Sequence, residues 1–411
     1  MADPLPVRRE DVVAAAKRIA GTIRRTPLIE APPIPGLPAN DVYLKLENLQ
    51  RTGTFKLRGA TNRILSLSPE EAAHGVVTAS AGNHAQGVAY AARARGIPAT
   101  IVMARGASPS KVNATRALGA RVVFHGSGFE EAAEEATRLS KEEGLVYVHP
   151  FEDPDVIAGQ GTIGLEILED LPSTRRIIAG VGGGGLLAGI TVAAKETNPT
   201  VEIVGVQPTG SDTLRATMEQ GRVVVGGAPN TFADGLATRH IGDRTFQILE
   251  HYGIKAVAVD DRTIARAVFL LLENAKLLVE GAGATPLAAV LEHPELLEPG
   301  PTVLVLSGGN LDPFLLDRIL WIGLSAEGRL LRIRAPLRDT PGQLAELLGV
   351  AAGLAANVRH IVHDRGMPNR PPGEVTVEVE LEVRNPAHAT EVLQAYQAKG
   401  WEVTTVAAGD V

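Results

Sequence analysis

Short runs of Val, Ile and Leu alternate with longer Ala-rich stretches in which apolar residues recur every third or fourth position, through the first three quarters of the chain. The unbroken apolar runs predict strands over 75–80, 99–103, 121–124, 145–148, 176–181, 201–206, 256–259 and 302–306. The helical periodicity predicts helices over 84–95, 129–142, 156–169, 186–196 and 261–274. A strand without polar alternation is buried on both faces, which implies parallel sheets covered by helices. The expected class is therefore α/β. In such sheets ligands bind beyond the C-terminal ends of the strands, so chemistry is sought there.

The pattern changes near 324–328. Beyond it come a predicted strand (330–334), a helix (341–353), two strands (357–362 and 374–383), a helix (387–399) and a last strand (401–406). This order, βαββαβ, is that of a small ferredoxin-like unit. VTVEVELEV alternates strictly, as expected of an antiparallel strand with one exposed face. Asp339, Thr340 and Pro341 are expected to cap the first helix of this unit and to place a proline in its first turn. Residues 366–373, with their prolines, read as the loop between its middle strands.

Composition narrows the function classes. A chain of 411 residues exceeds one ordinary core. The net charge of −7 argues against a nucleic-acid or polybasic membrane partner. No cysteine occurs, which excludes disulfides, thiolate metal ligands and thiol nucleophiles. No run approaches the ~20 apolar residues of a membrane span. The N-terminal stretch lacks the continuous apolar core of a signal peptide, and a cytoplasmic location is expected.

The strongest local signal is Gly182-Gly183-Gly184-Gly185-Leu186, placed between a predicted strand and a predicted helix. Glycines let successive N–H groups face one anion, and the helix dipole adds to the attraction. No Lys-Ser/Thr follows, and the next strand ends in Gln207 rather than an acid, so a phosphate is indicated but not a nucleotide. Ser80-Ala81-Gly82-Asn83-His84 opens another helix at a strand end. On local grounds alone Ser80 or Asn83 is expected to be a helix cap. Ser307-Gly308-Gly309-Asn310 forms a third such turn, suited to close backbone approach. Lys56 stands at the predicted start of a helix, where the dipole disfavours a cation and hints at a functional reason.

Six segments, TGTFKLRGA (52–60), SAGNHAQG (80–87), GQGTIGLEI (159–167), GGGGL (182–186), ADGLA (233–237) and SGGN (307–310), stand in the order seen in threonine dehydratases. Over roughly residues 10–320 the chain resembles these pyridoxal-phosphate enzymes of the tryptophan-synthase-β fold type. The C-terminal βαββαβ segment, with RAPLRDTPG at 334–342, resembles an ACT-type regulatory domain. The resemblance implies a catalytic domain over 1–323, made of two parallel-sheet αβα subdomains with the smaller roughly at 50–152, and an ACT-like domain over 324–411. It implies pyridoxal 5'-phosphate as cofactor and Lys56 as the Schiff-base lysine. Gly182, Gly183, Gly184, Gly185 and Leu186 would cradle the phosphate. Asn83 would meet the phenolic oxygen, Ser307 the pyridine nitrogen, Phe55 the ring and Glu280 the cofactor's edge. Ser80, Ala81, Asn83 and His84 lie where such enzymes receive the substrate carboxylate. The implied reaction eliminates water and ammonia from L-threonine, and pyruvate would form from L-serine.

Two departures from relatives carry weight. Serine racemases place a second serine where Ala81 stands, so racemisation is disfavoured; a carboxylate of a divalent-metal site is replaced by Gln207, and no metal is assigned. Thr54 replaces the more usual serine before Phe-Lys, a conservative change. His360 and His363 fall on opposite faces of a predicted strand, and His149 reads as a strand-end packing residue. The rival readings are a serine dehydratase, racemase or β-replacing synthase of the same fold, or a non-catalytic amino-acid sensor. An ACT-like unit further implies a homo-oligomer, a tetramer by preference, with isoleucine or valine as candidate effectors.

Overall fold

The computed structural model describes residues 5–38, 41–365, 371 and 373–406. Two compact units are formed, Met1–Asp312 and Pro313–Val411.

The first unit opens with α1 (Arg9–Ile19), β1 (Leu28–Glu30) and β2 (Val42–Lys45), followed by α2 (Lys56–Ser66) and α3 (Pro69–His74). Then β3 (Val76–Ala79), α4 (Asn83–Arg95), β4 (Ala99–Met103), α5 (Pro109–Ala117), β5 (Arg121–Phe124), α6 (Phe129–Glu143) and β6 (Val146–Tyr147) alternate. They build a four-stranded parallel sheet in the order β5-β4-β3-β6. The larger sheet continues through α7 (Pro154–Asp170), β7 (Arg176–Gly180), α8 (Gly185–Lys195), β8 (Glu202–Pro208) and α9 (Leu214–Gln220). It is completed by α10 (Asp243–Tyr252), β9 (Lys255–Val259), α11 (Asp261–Ala275), α12 (Gly281–Glu292) and β10 (Thr302–Val305). Its order is β1-β2-β10-β7-β8-β9, parallel except for the antiparallel edge pair β1/β2.

Of the apolar runs read from the sequence, β3, β4, β7 and β10 are buried at every position, whereas the edge strands β5, β6 and β9 are only partly buried and β5 is exposed at both ends. Strands β1 and β2 escaped that reading. In β2 the run ends on Lys45, which is fully buried because its charge is paired with Glu166 at 2.6 Å.

Three glycines let the lysine-bearing helix approach its neighbours. A Cβ on Gly159 of α7 would stand 2.6 Å from the Cα of Gly59 in α2, and one on Gly87 of α4 would stand 3.2 Å from the Lys56 carbonyl carbon. Larger residues would push α2 off its seat.

The second unit contains α13 (Pro313–Ala326), β11 (Leu330–Arg338), α14 (Gln343–Gly353), β12 (Asn357–Asp364), β13 (Glu374–Glu382), α15 (Pro386–Ala398) and β14 (Thr404–Thr405). After α13 the order is the expected βαββαβ, in an antiparallel sheet β12-β13-β11-β14. The inward residues of β11 and β13, among them Ile333, Val377 and Val379, pack with Leu347, Val392 and Tyr396 of the two helices.

Three local expectations are corrected. Helix α14 begins at Gln343 behind Gly342 at φ +97°, so Pro341 lies outside it; a left-handed glycine, not a proline turn, starts the helix. The last strand shrinks to two residues paired with Ile333 and Arg334. The outward face of β13 is not simply exposed. Thr376 and Glu380 are buried there, with Arg332 and Arg359 at Glu380 and both guanidinium groups stacked on Trp321 of α13, 5.2 and 4.9 Å from its ring centre. Of the loop expected at 366–373, residues 366–370 and 372 lie outside those described.

Candidate active site

Four strand ends of the first unit converge. Lys56 is the first residue of α2, and Thr54 Oγ1 accepts its backbone N–H at 3.3 Å, a bond that serine would make equally well. The preceding Phe55 N–H donates to the Ser307 carbonyl at 3.0 Å, and Thr54 bridges Gly308. The lysine turn is thus tied to the SGGN turn that follows β10, where Ser307 is buried. Lys56 Nζ donates to the Pro150 carbonyl at 2.9 Å and lies 5.3 Å from the Phe55 ring centre.

Burial lowers the Lys56 pKa to about 8 against a partial pull upward by Glu280. The dipole of α2 acts in the same direction as burial. The outcome is an amine with a far larger neutral fraction near neutral pH than an exposed lysine, as a nucleophile toward carbonyl carbon requires.

The tetraglycine turn runs from β7 into α8. Gly184 is the N-cap of α8 at φ +95° and offers no side chain, so the first N–H groups of that helix carry no side-chain cap. A Cβ on Gly184 would stand 2.7 Å from Thr245 Oγ1, while one on Gly183 would drive into the Phe151 ring. Thr245 Oγ1 also donates to the Gly183 carbonyl at 2.8 Å, which fixes the turn from behind. Leu186 is buried in the core of the larger sheet. Pro150 and Phe151, adjacent in sequence, touch the Lys56 amine and the glycine turn respectively. They place an enclosed amine and an anion-accepting helix start at one site.

The expected cap at α4 is absent. Its N-cap is Gly82, without a side-chain bond; Ser80 Oγ turns back to accept the Gly82 N–H at 3.1 Å. Asn83 is drawn elsewhere: its Nδ2 donates to Glu280 Oε1 at 2.7 Å, and its Oδ1 accepts from Asn310 Nδ2 at 2.8 Å. A second uncapped helix start therefore faces away from local partners, as a carboxylate site needs. Ala81 is part-buried against the core of the smaller sheet. His84 is buried, and its Nε2 must donate to the Val148 carbonyl at 3.0 Å because a carbonyl only accepts. Burial first, then the nearby Lys56 charge, lower its pKa to about 3, so it is neutral.

Glu280 caps nothing with its side chain but joins this cluster through Asn83. Burial and then Asp234 raise its pKa to about 7. In the unfolded chain the same carboxyl titrates near 4.5. The fold therefore holds a proton there between those values, and the contribution to stability is lost as pH rises through about 7. Glu280→Gln, which keeps the acceptor for Asn83, should gain in melting temperature relative to the parent as pH goes from 5 to 8. An unchanged difference across that range would show that the carboxyl is not perturbed.

Several residues named in the sequence make contacts that it did not assign. Asn310 bonds both Asn83 and the Thr52 carbonyl, the latter at 2.9 Å. His149 Nδ1 accepts the N–H groups of Phe151 and Glu152, so it shapes the turn that carries Pro150; the strand-end packing role read for it agrees with its edge contacts to Tyr147 and Phe151. Two ion pairs, Lys111 with Asp234 and Arg239 with Glu130 at 2.9 Å, join α5 and α6 to the segment 226–240 beside the cluster. Gln207 Oε1 accepts the N–H groups of Thr213 and Leu214 at 2.9 and 2.6 Å, a cap for α9.

Comparison with known proteins agrees with this geometry. Residues 19–308 match the family described as pyridoxal-phosphate dependent enzyme. The chain is 47% identical to an L-threonine ammonia-lyase of Thermotoga maritima over 97% of this chain and 99% of that one. It is 44% identical to an L-threonine ammonia-lyase of Geobacter sulfurreducens over 95% and 97%. Among solved structures it is similar to the T.th. threonine deaminase, at TM-score 0.70 and 42% identity over 74% of this chain and 99% of that one. Maize serine racemase gives TM-score 0.72 and 33% identity, covering 79% and 99%. Among the described residues no helix is long and apolar enough to cross a membrane.

Proposed function

The chain belongs to the family of pyridoxal-phosphate dependent enzymes, and from that premise we propose that it is a threonine ammonia-lyase whose reactive amine is Lys56. It converts L-threonine to 2-oxobutanoate and ammonia, and by the same chemistry L-serine to pyruvate. The observation that carries the assignment is the pairing, through Pro150 and Phe151, of a half-buried amine with the uncapped glycine turn. An anion and a carbonyl carbon are what those two features accept, and pyridoxal phosphate bears both.

Bound there, the cofactor supplies an aldehyde that takes the substrate amine and an electron-poor ring that acidifies the substrate Cα–H. Gly182 through Leu186 hold its phosphate, Lys56 its aldehyde carbon, Asn83 its phenolic oxygen and Ser307 its pyridine nitrogen, with Phe55 and Glu280 along the ring. The uncapped start of α4, from Ser80 to His84, takes the substrate carboxylate. Lys56, whose free amine burial lowers to a pKa of about 8, would be the base at the substrate Cα–H. Ser307 offers a neutral hydroxyl where an acid would keep the ring nitrogen charged, which would favour β-elimination over transamination. Position 81 carries a methyl group with no proton to exchange, which supports elimination rather than racemisation.

The test is direct. The purified protein with pyridoxal phosphate should form 2-oxobutanoate from L-threonine, more slowly pyruvate from L-serine, and no D-serine from L-serine. Appearance of D-serine at a rate comparable to keto acid would favour the racemase reading.

The proposed division is a catalytic domain over 1–323 and an ACT-like regulatory domain over 324–411. In keeping with it, the protein is a cytoplasmic homo-oligomer, a tetramer by preference, whose ACT-like sheet binds a branched-chain amino acid such as isoleucine. Titrating the full-length enzyme with isoleucine and with valine should change the threonine saturation curve. Curves that superimpose at every concentration would remove this regulatory claim.

A further inference from the structure

Behind the lysine helix lie four buried charged side chains that the chemistry above does not use. Arg58, two residues after Lys56, is fully enclosed. Its Nε and Nη2 donate to the two oxygens of Glu47, each at 2.8 Å. Its Nη1 and Nη2 also reach the two oxygens of Glu166 at 2.7 and 2.9 Å, and Nη1 meets Thr162 Oγ1 at 3.1 Å. Lys45 Nζ closes the set on Glu166 at 2.6 Å. Burial would raise the Glu166 carboxyl, but Arg58 and Lys45 outweigh it and hold the group below its ordinary value. The two acids and two bases cancel in charge.

Such a group is a poor device for stability, because apolar side chains of the same volume often serve as well or better. What it supplies is direction. A guanidinium fork grips each carboxylate in its own plane, so the arginine has one position and one orientation. The two carboxylates approach from different elements: Glu47 follows β2, and Glu166 stands on α7. The same stretch of α7 grips the next residue of α2 as well. Gln160 Oε1 accepts the Gly59 N–H at 3.1 Å, and Gly159 lies against the Gly59 backbone. Gly159, Gln160, Thr162 and Glu166 all belong to GQGTIGLEI, a segment that has had no role until now. Every one of them meets Arg58 or Gly59.

We infer that residues 159–167, with Glu47, form a clamp on Arg58 and Gly59 that positions the Lys56 amine, and that Arg58 is a positioning residue for the reaction. Rotation or sliding of α2 carries its first residue with it, so the clamp fixes where Nζ stands relative to Pro150 and the glycine turn. The inference rests on Lys56 being the reactive amine.

Arg58→Lys keeps the charge and gives up the fork; Glu166→Gln keeps the shape and gives up the charge. In both variants of the full chain, stripped of cofactor, the titration of Lys56 is followed by the pH dependence of its methylation with labelled formaldehyde, read at peptide level by mass spectrometry. The apparent pKa should move by about one unit or more from the parent value. In the cofactor-loaded enzymes kcat should fall at least tenfold while KM for threonine changes less than threefold. A lower melting temperature with Lys56 titration and kcat as in the parent would assign the cluster to stability alone and overturn the inference. Should Arg58→Lys fail to fold, Glu166→Gln carries the same readouts. Borohydride reduction of the parent enzyme separates the two levels. Cofactor fixed to another residue refutes the choice of amine, whereas cofactor fixed to Lys56 with unmoved titration in both variants refutes only the clamp.

Discussion

Lys56→Ala should lower threonine turnover by about 10⁴-fold or more, equivalent to roughly 5 kcal/mol of barrier. The size follows from the loss of two tasks at once. In the proposed reaction the amine would hold the aldehyde carbon before substrate arrives and would afterwards be the base at the substrate Cα–H. The neighbouring histidines are poor substitutes. His84 is neutral with its Nε2 proton committed to the Val148 carbonyl, and His149 spends its Nδ1 lone pair on two backbone N–H groups. Burial first, then Lys56, lower the pKa of His149 to about 4, so it is uncharged near neutral pH. Steady-state production of 2-oxobutanoate is the measurement, with loss of the visible absorbance of the bound cofactor beside it. Added cofactor should restore nothing. Turnover within tenfold of the parent would remove Lys56 from the mechanism.

The second large effect is expected at the turn itself. A methyl group at position 183 would occupy the place of the Phe151 ring, and that ring has buried protein around it. Overpacking of this kind typically costs about 1–3 kcal/mol. Here the displacement falls on the N–H groups proposed to hold the anion, so the cost should appear as cofactor affinity: about 10²-fold for Gly183→Ala by titration of the visible band. Saturating cofactor should recover much of the turnover, the reverse of the behaviour of Lys56→Ala. Affinity equal to that of the parent would place the phosphate elsewhere.

Much of this was legible in the residues because it depends on local pattern. The central strands β3, β4, β7 and β10 are buried on both faces, and the glycine turn announces itself between a strand and a helix. The C-terminal βαββαβ order could likewise be read from alternation and breaks. Lys56 was different. Its periodicity resembles that of any surface lysine, and the motif order rather than the pattern singled it out. What stayed hidden were the consequences of long-range pairing. Lys45 and Arg58 look like solvent residues until Glu47 and Glu166 are brought beside them. Asn83 looks like a helix cap until Glu280 and Asn310, some 200 residues away, compete for its amide. The Pro150 carbonyl has no side chain by which a sequence could advertise it.

The pairs Lys111–Asp234 and Arg239–Glu130 tie the smaller sheet's helices to the loop over the cluster by charge alone, and in each at least one partner is exposed. Contacts of that kind weaken as dissolved ions shorten the reach of the field, to about 10 Å at 0.1 M. Asn83, held by Glu280 and Asn310, ties the same region without relying on those pairs. The hold of the segment 226–240 on α5 and α6 is therefore a property of the solution as much as of the fold.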